Sequence, residues 1–186
     1  MDTAQREPKR WTRTEYDFLV AQGAFQPHER LELIDGDILT MTPQNRPHAT
    51  TVMVAQDVLR QSFGPGCHVQ VQLPLAVSPT SEPEPDLAVI PGSPRDYVGH
   101  PQTAKLVVEV FDTTLAFDRK RKGPLYARAG IQEYWIVDLT SDAVEVCRDP
   151  GEQGYCSIER LVRGQTIRPL ARPDIVLAVT DFLPPV

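Results

Sequence analysis

Four short runs rich in β-branched residues follow one another through the middle of the chain: HVQVQLPLAV (68–77), DLAVI (86–90), KLVVEVF (105–111) and IQEYWIVDL (131–139). Each is bounded by Pro, Gly or polar residues, which is the pattern of strands laid into a sheet. Between the third and fourth runs lies DRKRKGPLYARAG (118–130), which reads as a basic segment leading into a helix closed by Gly130. A strand, a helix and a strand in that order imply a crossover connection and at least one parallel strand pair. The class that follows is α/β or α+β, with a mixed central β-sheet and few helices.

The flanking segments supply the rest. Thr14, followed by Glu15 and Asp17, reads as a helix start, with Tyr16, Phe18, Leu19 and Val20 available for its buried side and an end near Gly23. In RLELIDGDILTM, alternating apolar residues flank Asp35-Gly36, the signal for a tight hairpin. Residues 48–63 place Val52, Ala55, Val58, Leu59 and Phe63 at helical spacing, and Gly64-Pro65-Gly66 ends that pattern. AVEVCRD, YCSIERLVRG and IVLAV close the chain as antiparallel strands. A chain of 186 residues suits one domain, here 11–186, preceded by a loosely ordered stretch over 1–10.

Composition removes several function classes. No apolar run approaches the ~20 residues a membrane span needs, and MDTAQREPKRW lacks the apolar core of a secretory signal, so a cytosolic protein is expected. Cys67, Cys147 and Cys156 are scattered, which indicates neither a zinc cage nor a disulfide framework. A formal net charge of -6 argues against a protein that coats nucleic acid through many cations. It leaves room for a nuclease, because a metal held by carboxylates reverses the field that a phosphate feels. Nucleotide-binding glycine loops, the GxSxG elbow and HExxH are all absent from the sequence.

The chemistry then rests on acids. Asp86 opens the strand after SEPEP, and Glu109 interrupts the apolar run KLVVEVF. Taken alone, Glu109 reads as the outward-facing residue of an alternating strand and Asp86 as a loop acid after Pro85. If the two strands are neighbours, the carboxylates converge on a hard cation such as Mg²⁺ or Mn²⁺. Lys122 ends the densest basic run, Asp118-Arg119-Lys120-Arg121-Lys122, and is the candidate for placing a water against a phosphate. Arg119, Lys120 and Arg121 read either as a solvated charge run or as contacts to a nucleic-acid backbone. The Gly123-Pro124 step places the start of regular helix near Pro124. His48 is a further candidate near the site or a local helix-start group. Gln70 and Gln72 share the polar face of one strand.

These segments together resemble the Uma-two family of restriction-endonuclease-like proteins: LELIDGDI (31–38), PHAT (47–50), EPEPDLAVI (82–90), KLVVEVF (105–111), Asp118, Lys122 and YARAGIQEYWIVD (126–138). The resemblance covers nearly the whole chain from about residue 11. It implies the PD-(D/E)xK nuclease core, Mg²⁺-dependent phosphodiester hydrolysis on DNA and a homodimer. Asp86 then matches the Asp after Pro, Glu109 the strand acid, and Glu32 an additional acid; the metal would be held by Asp86, Glu109 and the backbone carbonyl of Val110. The lysine of the ExK motif is missing from its strand, where Phe111 stands, and Lys122 takes its place from the following helix. Asp112 stands where relatives more often carry Ser, as a further acid near the metal or as a turn cap.

The expected activity is a Mg²⁺- or Mn²⁺-dependent endonuclease acting on DNA. Two other classes fit the same residues: a non-catalytic nucleic-acid-binding or assembly module, and a metal-dependent phosphoesterase for a small substrate.

Overall fold

The computed structural model describes residues 7–26, 28–112 and 118–184. Part of the expected loose stretch, residues 1–6, lies outside them; Lys9 and Arg10 make ion pairs with Glu15 and Asp37.

Helix α1 runs Arg13–Ala21, and its N-cap is Thr12 rather than Thr14. The Thr12 side chain accepts from the Glu15 amide while the Glu15 carboxylate accepts from the Thr12 amide, a reciprocal cap that fixes the start two residues earlier than the acidic pattern suggests. Strands β1 (Leu31–Ile34) and β2 (Asp37–Thr40) form the expected hairpin. Asp35 and Gly36 both take positive φ, 48° and 80°, as a two-residue primed turn requires. Helix α2 covers Arg46–Phe63, capped by the Asn45 side chain on the His48 amide, with Pro47 in the first turn.

The central sheet has six strands in the order β3-β4-β5-β6-β7-β8: β3 (Cys67–Val71), β4 (Leu87–Pro91), β5 (Leu106–Phe111), β6 (Glu133–Asp138), β7 (Ala143–Gly151) and β8 (Gly154–Val162). Only β5 and β6 are parallel; the other neighbours are antiparallel. The first run ends as a strand at Val71, because Gln72 adopts φ 51° and turns the chain out of the ladder. The last run contributes only β10 (Leu177–Ala178), which pairs with β9 (Thr166–Ile167) in a small sheet of its own.

Alternation along the strands separates two cores. Val108, Val110, Trp135, Val137, Val144 and Val146 share one core with Val52, Ala55, Leu59 and Phe63 of α2 and with Val179 and Phe182 near the C-terminus. Ala88, Ile90, Val107, Phe111, Tyr134 and Ile136 face the other way, together with Tyr126. Tyr126 belongs to α3 (Gly123–Arg128), which lies in the crossover between β5 and β6. A π-helical turn, Asp118–Lys122, runs into α3, so the helical path begins before Pro124 and Lys122 sits at the junction.

The cysteines differ sharply in setting. Cys147 is buried and Cys156 exposed. Burial, followed by the negative charge of Glu145, pushes the Cys147 thiol up to about 12, against the opposing pull of Arg119. The thiolate is the reactive form. Brief alkylation of the folded protein near pH 8 should therefore modify Cys156 and leave Cys147 intact, as read by peptide mass spectrometry. Labelling of Cys147 at a comparable rate would contradict this packing.

Candidate active site

The register of β4 and β5 pairs Leu87 with Val108. One step further along this antiparallel pair, Asp86 stands opposite Glu109, and the Glu109 side chain leaves the sheet on the α3 side. Their backbones and carboxylates interlock. The Val110 amide donates to Asp86 Oδ2 at 2.8 Å, and the Asp86 amide lies 3.4 Å from Glu109 Oε2. Glu109 is 4% exposed, so the outward-facing reading of this residue is overturned. Its side of the sheet is covered by α3 rather than by water.

A carboxylate at that depth requires partners. Lys122 Nζ donates to Glu109 Oε1 at 3.0 Å and lies 3.2 Å from Glu32 Oε2. The Tyr126 hydroxyl donates to the same Oε1 at 2.9 Å. Burial first, then the charge of Glu109, raises the Tyr126 phenol well above its ordinary value and keeps it a donor. Glu32 reaches the site because Leu33 of β1 exchanges backbone hydrogen bonds with Glu82, which lays the hairpin against the chain entering β4. Glu32 Oε2 also accepts from the Glu84 amide at 3.3 Å.

Asp86 is held from the other side. His48 Nε2 lies 3.1 Å from Asp86 Oδ2, and Gln72 Nε2 donates to Oδ1 at 3.0 Å. The turn at Gln72 that ends β3 is what brings this side chain inward. Burial alone would raise the Asp86 pKa, but the His48 hydrogen bond and charge and the Val110 amide outweigh it and hold the carboxyl below its ordinary range. For His48 burial acts downward, and the hydrogen bond and charge of Asp86 prevail, so its pKa is raised. His48 Nδ1 is buried with no hydrogen-bond partner.

Glu32, His48, Asp86, Glu109 and Lys122 line a cleft of about 430 Å³, which Arg30 and Asn45 also border. Asn45 joins the start of α2 to the end of β5, since its side-chain amide donates to Asp112 while its oxygen caps α2. Asp112 is thus a partner of the helix cap at the edge of the cleft. The basic run divides. Arg119 pairs with Glu145, and Arg121 with Asp37 at 3.1 Å, whereas Lys120 is exposed.

Glu32, Asp86, Glu109, Val110 and Lys122 are therefore brought to one place, and Arg119 and Arg121 are drawn onto carboxylates outside it. Tyr126 and Gln72 complete the hydrogen bonding, and Tyr126 is not among the candidates named from the sequence. Its signal was available: Tyr126 follows Lys122 by four residues, one helical turn, which puts both side chains on one helix face. Among the described residues no group of three or more His, Cys, Asp or Glu side chains is arranged to ligate a metal. The donor set nevertheless suits a hard cation, because Mg²⁺ keeps several waters and is commonly bound through only one or two carboxylates.

Two carboxylates face each other at the β4–β5 pair, with a lysine delivered by the crossover's helical stretch, as the restriction-endonuclease resemblance implies. The chain belongs to the Uma2 family: the family model, described as "Putative restriction endonuclease", matches residues 15–180. Among solved structures it is similar to "a putative nuclease belonging to DUF820" from Anabaena variabilis, with a TM-score of 0.73 and 17% identity, over 92% of this chain and 97% of that one. At that identity the likeness is one of fold. No curated protein matches the chain. Among the described residues no helix is long and apolar enough to cross a membrane.

The His48–Asp86 pair carries a pH signature in the metal-free protein. The stability tied to the raised His48 pKa is full below the ordinary 6.5 and is lost as pH rises through the folded value. The stability tied to the lowered Asp86 pKa is full above the ordinary 3.8 and is lost as pH falls through the folded value. The melting temperature of the wild-type protein should thus fall between about pH 6 and about pH 8.5 by more than that of His48→Gln. Equal falls in the two proteins would contradict the pair.

Proposed function

We propose that the protein is a divalent-metal-dependent endonuclease that hydrolyses DNA phosphodiester bonds. The observation that carries this reading is the juxtaposition of Asp86 and Glu109, with Lys122 Nζ within 3.0 Å of the latter. Asp86, Glu109 and the backbone carbonyl of Val110 would hold Mg²⁺ or Mn²⁺. When bound, such an ion polarises a water and stabilises charge on the phosphoryl oxygens.

The remaining work falls to the chain. Lys122, held between Glu109 and Glu32, orients the attacking water for in-line displacement at phosphorus. Glu32 supports a second ion or its waters. His48 and Gln72 keep the Asp86 carboxylate turned toward the site. Lys120 presents the exposed charge of the basic run to a phosphate backbone, flanked by Arg119 and Arg121, whose side chains stay 43% and 38% exposed despite their ion pairs. A homodimer acting on DNA belongs to this reading through the family resemblance.

Supercoiled and linear DNA incubated with the purified protein should be cleaved with Mg²⁺ or Mn²⁺ and left intact with a chelator. Asp86→Ala and Lys122→Met should each lower the rate by about 100-fold or more. Cleavage that survives Asp86→Ala would overturn the site. DNA binding with no cleavage under either ion would point instead to the non-catalytic module, which the net charge and the missing strand lysine also suit. Turnover of a small phosphoester without polynucleotide cleavage would point to the phosphoesterase.

A further inference from the structure

The two oxygens of Glu109 are treated differently. Oε1 accepts from both Lys122 Nζ at 3.0 Å and the Tyr126 hydroxyl at 2.9 Å, while Oε2 lies on the side of Asp86, whose amide is 3.4 Å away. Tyr126 has no room to swing aside. It is fully buried, and its ring packs on Tyr134 with centroids 5.2 Å apart. A phenylalanine would fill the same volume, so packing alone does not account for the hydroxyl. Placing that hydroxyl in the core is favourable only with a partner, and the partner is the strand acid.

We infer that Tyr126 is a positioning residue which, together with Lys122, restricts Glu109 to one-oxygen binding and thereby makes the cleft select Mg²⁺ or Mn²⁺ over Ca²⁺. Mg²⁺ requires six oxygens in near-octahedral array and retains waters, so one oxygen from each carboxylate satisfies it. Ca²⁺ takes six to eight oxygens and commonly grips a carboxylate by both. An ion that used Oε1 as well would have to displace a buried ammonium and a buried hydroxyl from their shared acceptor, and each would lose a hydrogen bond. An ion on the Asp86 side alone leaves both bonds in place.

The inference rests on the proposal that Asp86 and Glu109 hold a divalent ion, and the experiment separates the two. Mn²⁺ is titrated into the metal-free protein with free Mn²⁺ read by electron paramagnetic resonance, and is then displaced by Mg²⁺ or by Ca²⁺. In the wild-type protein Mg²⁺ should displace Mn²⁺ at about one tenth of the Ca²⁺ concentration or less. Tyr126→Phe should narrow that gap by about fivefold, and Lys122→Met, which removes the other donor to Oε1, should move it in the same direction. Absence of Mn²⁺ binding, or binding unaffected by Asp86→Ala, would overturn the metal reading itself. Binding that depends on Asp86 while Ca²⁺ competes as well as Mg²⁺, or a gap unchanged in Tyr126→Phe that retains the wild-type circular dichroism and melting behaviour, would overturn the selectivity and leave the metal reading standing. Should Tyr126→Phe fail to fold, the wild-type comparison and Lys122→Met decide the question.

Discussion

Glu109 lies in the middle of LVVEVF, in a strand where every residue is buried, and an ionised carboxylate there would cost several kcal/mol without compensation. Compensation comes from the segment that follows. The chain leaves β5, makes a π-helical turn and enters α3 so that Lys122 and Tyr126 descend on one oxygen of Glu109. The parallel β5–β6 pair needs a crossover in any case, and this one carries the counter-charge with it. Fold and site are thus tied through one side chain. Loss of Lys122 would take a counter-charge from a buried carboxylate, and loss of the acid would take one of its carboxylates from a buried lysine that also lies 3.2 Å from Glu32.

Support for this arrangement extends to the hairpin. Arg10 and Arg121 converge on Asp37, and Arg128 grips Asp35, so the Asp35-Gly36 turn is clasped from the N-terminal segment and from both ends of the crossover's helical stretch. Gly36 suits the position twice over: its φ is positive, and a Cβ there would lie 3.0 Å from the Cβ of Arg10. The clasp keeps β1 in place and so keeps Glu32 beside Lys122. Two arginines that read as nucleic-acid contacts in the sequence are explained in part by this internal work, since Arg121 holds the hairpin and Arg119 neutralises the buried Glu145 of β7.

Much of the architecture is written in local patterns. β-branched runs, the Asp-Gly turn and the apolar spacing of α2 each act over a few residues, and each appears where its pattern lies. What escaped were places where a long-range contact decides. Gln72 breaks the polar alternation of the first run to reach Asp86. The start of α1 is a local exception, where Thr12 outcompetes Thr14 as a cap because Glu15 stands three residues beyond it. The short pairing of β9 with β10 has too little sequence to announce itself. At the site, the acids and the lysine were legible as residue types in unusual places. The face of Glu109 was not, because alternation says only that it opposes Val108 and Val110, and both sides of this sheet turn out to be covered.

In the proposed site the carboxylates of Asp86 and Glu109 would hold one ion while Lys122 and Tyr126 retain Glu109 from behind. Crystals grown with Mn²⁺ and measured at the manganese absorption edge test it directly. An anomalous peak is expected within bonding distance of both carboxylates, with Lys122 Nζ and the Tyr126 hydroxyl still on Glu109 Oε1. A fully soaked crystal with no peak there, or a peak on other residues, would contradict it.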